Sequence, residues 1–94
     1  MLVGLLILSI HLPGCQSLKE KRSHIKPILA RLHREFNLSV AELGRQDAWQ
    51  SSELACALVS NDAVHIQQTF QQVTRYFVST WPDVDLVDEH IEMI

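Results

Sequence analysis

Apolar residues run almost without interruption from Leu2 to Leu12, and Pro13-Gly14 closes the run. A short block of Leu, Ile and Val ended by a turn signal predicts a strand. Its even positions Leu6, Leu8, Ile10 and Leu12 make one apolar face, while Val3, Leu5 and Ile7 lie on the other, followed by Ser9 and His11. A strand that is apolar on both sides is expected inside a sheet. The period changes at Ser17. Leu18, Ile25, Ile28, Leu29, Leu32 and Phe36 share one side of a helix that turns roughly 100° per residue. Ser17 and Glu20 have capping-box spacing, in which the hydroxyl accepts a backbone N–H and the carboxylate reaches back. Pro27 loses a backbone hydrogen bond and crowds the preceding turn, at a cost of about 3 kcal/mol. A kink is expected there rather than a break, because the stripe continues past it.

Leu38 to about Arg45 and Glu53 to Ser60 read as two further strands, joined by a polar stretch that contains Trp49. Asn61-Asp62 opens a second helix running to about Thr80, with the stripe Ile66, Phe70, Val73 and Phe77. Trp81-Pro82-Asp83 ends it, Trp81 serving as a plug, and Val84 to Ile94 gives a last strand, polar and acidic as suits a sheet edge. The order β-α-β-β-α-β, with right-handed crossovers, predicts an α+β, ferredoxin-like sandwich. Its antiparallel sheet would have the strand order 4-1-3-2 and both helices on one face, as a single domain over residues 1–94. Val3, Leu5 and Ile7 would then lie on the bare sheet face. A homo-oligomer, most simply a dimer joined back to back, would cover them.

Composition excludes a disordered or fibrous chain: 47% of residues are apolar and 20% charged. A net charge of -3 argues against general nucleic-acid binding, but the charge is unevenly placed. Six of the eight basic residues lie between Lys19 and Arg34, and five of the eleven acids lie between Asp83 and Glu92. On the helical wheel Lys19, Arg22, Lys26, His33 and Arg34 fall on one arc beside the apolar stripe, a pattern able to track the phosphates of RNA. The plainer reading is a solvated helix face. Lys21 falls inside the apolar arc and is expected to snorkel at the core edge. With Lys19 it also stands near the helix start at Ser17, whose N–H groups suit an anion.

Gln46, Asp47, Trp49 and Gln50 form a polar connection with one aromatic ring. Trp49 has the chemistry to stack on a base or anchor a protein partner. The alternative is a Trp packed on the sheet edge, with Asp47 fixing a turn. The two cysteines, Cys15 and Cys56, read as reduced thiols of a cytoplasmic protein. Leu12 to Cys15 has the shape of a lipoprotein cleavage box, but no Lys or Arg precedes the apolar run, and the run is too short to span a membrane as a helix. No membrane partner is therefore expected. His11, His24, His33, His65 and His90 lack metal-ligand spacing, and no glycine-rich phosphate loop is present. Asp85, Asp88, Glu89 and Glu92 suit a hard cation less well than the edge of a sheet. No catalytic set, metal or cofactor is expected, so the chain does not read as an enzyme.

Several stretches carry a family resemblance. They are Val3-Gly4, Leu12-Pro13, Ser17-Leu18-Lys19-Glu20-Lys21-Arg22, Phe36-Asn37-Leu38-Ser39-Val40-Ala41-Glu42, Gln46-Asp47-Ala48-Trp49-Gln50 and Val59-Ser60-Asn61-Asp62. Together they resemble the YlxP-like family of small bacterial proteins over almost the whole chain. The resemblance implies a ferredoxin-like fold and brings no established enzymatic activity. Genes of that family often lie near genes for translation and ribosome maturation. The chain departs from the family pattern at Pro27, at Ile7 and Ser9 where a charged or polar pair is common, and at Gly44. Two functions remain open on these grounds. One is a non-catalytic module that binds RNA or a ribosomal particle through the first helix and Trp49. The other is an oligomeric scaffold that uses the bare sheet face. A small-ligand sensor or enzyme has the least support, because no convergent polar set marks a pocket.

Overall fold

In the computed structural model, which describes residues 1–44 and 48–94, the chain forms β1 (Leu2–His11), α1 (Leu18–Phe36), β2 (Ser39–Gly44), β3 (Ser51–Ser60), α2 (Ala63–Thr80) and β4 (Asp85–Met93). The sheet has four antiparallel neighbours in the order β2-β3-β1-β4, which is the predicted order read from the other edge. β1 lies inside it, as its apolar faces require. Leu6, Leu8 and Ile10 of β1 and Leu54 and Cys56 of β3 are buried on one face, against Ile25, Ile28 and Leu32 of α1 and Ile66, Phe70, Val73 and Phe77 of α2. Burying each of the larger side chains is worth about 1.5–3 kcal/mol. Both helices therefore cover one face of the sheet.

The local signals explain where the elements stop. The Cys15 N–H donates to the Leu12 carbonyl at 3.3 Å, and Gly14 has a φ of 76°. Proline followed by a positive-φ glycine is the chemistry of a type II turn. This turn hands β1 to α1. At Ser17 the Glu20 N–H donates to Oγ at 3.0 Å, and the Glu20 carboxylate accepts from the Gln16 N–H at 3.0 Å. The capping box thus closes one residue further back than the Ser17–Glu20 spacing predicts. α1 runs through Pro27 as one helix, because Pro27 is on the exposed side, where water replaces the lost partner. Asn37, with φ 52° and ψ 45°, ends it in the left-handed conformation that Asn tolerates. Asp62 caps α2 by accepting from the Val64 N–H at 2.9 Å. At the far end Trp81 packs on Phe77 and Tyr76, with ring centroids 5.4 and 5.9 Å apart.

β3 begins at Ser51, two residues before the expected Glu53. Hydropathy hides this start because Ser52 is polar. It is nevertheless fully buried, and its hydroxyl has a partner in Glu42. Both cysteines are buried, and burial pushes the Cys56 thiol up to about 12. Among the described residues no helix is long and apolar enough to cross a membrane.

Gly4 lets Ile66 and Phe70 of α2 pack directly on the sheet. A Cβ there would collide with Ile66 Cγ2 and lie 2.9 Å from Phe70 Cε2. Gly4→Ala is expected to lower stability by about 1–3 kcal/mol through overpacking, measured as a shift in the urea unfolding midpoint at unchanged m-value.

Candidate functional site

Lys21 is the residue around which one end of the molecule is built. It sits within the apolar arc of α1, and the structure corrects the expectation that it snorkels to the surface: its side chain is 2% exposed. The ammonium lies 3.0 Å from Glu42 Oε2 of β2 and donates to the Ala48 carbonyl at 2.7 Å. Glu42 Oε2 also accepts from the Ser52 hydroxyl at 2.6 Å. A buried cation needs such partners, since removing it from water without them costs several kcal/mol. Lys21 is accordingly not exposed beside the other lysines as an anion ligand.

A second set of bonds reinforces the same end. The Leu12 N–H donates to the Gln50 carbonyl at 2.8 Å, and Gln50 Nε2 donates to the Cys15 carbonyl at 3.3 Å. The Leu12-Pro13 turn, the Ser17–Arg22 segment, Glu42 and the Ala48–Gln50 stretch lie far apart in sequence and meet here. Gln46 and Asp47, both singled out above, lie outside the described residues.

Trp49 follows Ala48 directly and is 53% exposed. Lys19 and Arg22 flank Lys21 on the first turns of α1 and are exposed, as are Lys26 and Arg34 further along. Among the described residues no carboxylate lies within ion-pair distance of these four cations. His33 is used differently. Its Nδ1 donates to the Leu38 carbonyl at 2.5 Å and helps close the helix C-terminus. Arg31 donates from Nε to the Tyr76 hydroxyl at 2.8 Å and ties α1 to α2. At the start of α1 the Ser17 hydroxyl takes the Glu20 N–H, and the Glu20 carboxylate takes the Gln16 N–H just before the helix.

The bare sheet face carries Val3, Leu5 and Ile7, all half-buried. Their cross-strand neighbours on β3 are Val59, Ala57 and Ala55. Across β4 the same rows end in Glu92 and His90, whose side chains meet at 3.0 Å. Among the described residues no group of three or more His, Cys, Asp or Glu side chains converges as a metal site. A pocket of about 80 Å³ holds Cys15, His24 and Asp83 in its lining, which is too small for a substrate of ordinary size.

Fold and core define an α+β sandwich of the split β-α-β type with a buried ion pair at one end. The family described as "Protein of unknown function (DUF503)" matches residues 3–91, and the chain belongs to it. A relative, "Uncharacterized protein YlxP" of Bacillus subtilis (strain 168), is 39% identical over 69 residues, covering 73% of this chain and 74% of that protein. Among solved structures, "De novo designed protein Foldit4" superposes with a TM-score of 0.56 at 16% identity, over 100% of this chain and 97% of that one. That likeness concerns the fold alone.

The signal for Lys21 was present as a cation within an apolar arc, but its carboxylate and carbonyl partners sit on other elements, so sequence spacing did not show them. Lys21→Ala removes the ammonium 3.0 Å from the half-buried Glu42 and is expected to cost about 3–5 kcal/mol. Replacing both partners by apolar residues, as Lys21→Met with Glu42→Leu, is expected to recover part of that loss. Urea unfolding of the two single variants and the double variant measures the coupling.

Proposed function

We propose that the protein is a non-catalytic binding module that takes a single-stranded RNA segment, as part of a ribosomal particle, on the surface made by α1 and Trp49. The observation that carries the reading is the Lys21–Ala48 hydrogen bond. It ties the stretch bearing the exposed Trp49 to the helix bearing Lys19, Arg22 and Lys26. Exposed cations without protein carboxylates favour phosphate, and an exposed indole on a fixed support favours a base. Base stacking on an aromatic ring is worth about 1–3 kcal/mol. Arg34 extends the basic arc towards the helix C-terminus. The negative net charge sets a limit, since binding rests on one local surface rather than on general attraction.

Filter binding to a single-stranded RNA oligomer at two salt concentrations tests this. The combined substitutions Lys19→Glu, Arg22→Glu and Lys26→Glu are expected to abolish binding, and Trp49→Ala to weaken it by about tenfold. Unchanged affinity in both variants would remove the reading.

The bare sheet face supports a second reading, a homodimer joined back to back through Val3, Leu5 and Ile7. Val59, opposite Val3, is 58% exposed, and Ala55 and Ala57 leave room for a facing side chain. Sedimentation equilibrium of the parent and of Leu5→Lys with Ile7→Glu measures it. The parent is expected to be dimeric at micromolar concentration and the variant monomeric, while a monomeric parent would sink it.

A further inference from the structure

β4 is the edge of the sheet next to β1, and nothing among the described residues pairs with its outer side. The register says which of its backbone groups face outwards. Val3 and Ile94 exchange both hydrogen bonds, at 3.3 and 2.8 Å, and so form a hydrogen-bonded pair. Such pairs alternate with non-bonded ones along an antiparallel ladder. Leu5–Glu92, Ile7–His90 and Ser9–Asp88 are therefore bonded, whereas Gly4–Met93, Leu6–Ile91 and Leu8–Glu89 are not. The N–H and C=O groups of Glu89, Ile91 and Met93 point away from β1, an open row ready for another strand.

The same three residues turn their side chains to the helix-bearing face, but α2 does not cover them. Ile91 and Met93 remain 41% and 40% exposed. Between α2 and β4 runs a groove of about 300 Å³ lined by Phe70, Gln71, Thr74, Arg75, Glu89 and Ile91. The Thr74 hydroxyl donates to Glu89 Oε2 at 2.7 Å and fixes its floor. On the opposite face Asp88 and Glu92 flank His90, and all three are exposed.

We infer that the β4 edge binds an extended basic peptide of a partner protein as an added strand. Backbone bonds to Glu89, Ile91 and Met93 would hold it, and alternate side chains would be read on the two faces. Lysine or arginine fits opposite Asp88 and Glu92 on the bare sheet face. An apolar residue fits opposite Ile91, at the mouth of the groove, where Arg75 disfavours a second cation. Charge also weighs against one competitor. Pairing β4 with β4 of a second copy centred on His90 would set Asp88 against Glu92, and like charges across strands are destabilising. The extra residue Val87, between the Ser9–Asp88 and Ile10–Leu86 pairs, ends the straight part of the edge, so the added strand would run along residues 88–93.

The test uses the full chain and a fluorescein-labelled peptide alternating lysine and valine, with a glutamate-valine peptide as its counterpart. Fluorescence anisotropy is expected to show the lysine peptide binding at least about tenfold tighter. Asp88→Lys with Glu92→Lys is expected to reverse the preference. Ile91→Pro removes an outward N–H while leaving the ladder to β1 intact, and is expected to abolish binding. Equal binding of both peptides overturns the inference, as does full binding by an Ile91→Pro variant whose circular dichroism is unchanged. Amide hydrogen exchange on the parent chain decides the case if that variant fails to fold. Slowed exchange at Glu89, Ile91 and Met93 on peptide addition supports strand addition, and binding without it refutes it.

Discussion

The ammonium of Lys21 has to be neutralised where it stands, and much of one end of the fold follows from that need. A lysine at a core position of α1 is tolerable only because Glu42, the Ala48 carbonyl and, through Glu42, Ser52 surround it. Those partners come from β2, from the connection and from β3. The pair therefore acts as a register mark: α1 cannot slide along the sheet, nor β2 along β3, without stranding a buried charge. The net stabilisation from such a pair is small compared with that of the apolar core. Its effect is on uniqueness, because alternative packings that satisfy Leu and Ile equally well do not satisfy the ammonium.

Charge is segregated by the same architecture. α1 carries cations on its outer arc, and β4 carries carboxylates on the opposite edge of the sheet from β2. Two surfaces of opposite sign on so small a body match the two chemically different partners proposed above. The basic surface has an aromatic ring beside it, and the acidic edge has a row of free backbone groups. The cysteines contribute to packing, with the Cys56 thiol held in its neutral form by burial.

The order of elements, the sheet order and the two buried stripes could be read from the sequence because each rests on local periodicity. Leu6, Leu8 and Ile10 alternate, and Ile66, Phe70, Val73 and Phe77 follow the helix turn. The turn at Pro13-Gly14 and the cap at Ser17 carry their own chemistry. What could not be read was the chemistry made between distant segments. Ser52 lies outside the strand that hydropathy predicts from Glu53, and Glu42 supplies its partner; Lys21 reads as a cation snorkelling at the core edge, and Ala48 and Glu42 enclose it. Trp49 stands half-exposed where the Ala48 and Gln50 bonds hold the chain, a placement that no local pattern reveals. His33 was read as part of the basic arc, whereas its bond to Leu38 makes it part of the helix terminus.

The position of β1 has a consequence for the order in which the chain acquires its structure. The most apolar strand, β1, is made before its two neighbours, β3 and β4, and β4 is the last of the six elements described. During synthesis Leu6 must wait for Cys56 on one side and for Ile91 on the other. Contacts so distant in sequence form late, because the entropy of closing the intervening loop is spent before they return anything. A nascent chain therefore carries β1 unpaired until β3 has been made, and open on its other edge until β4 follows. Its exposure to chaperones and to neighbouring nascent chains is set by translation speed as much as by the stability of the finished fold.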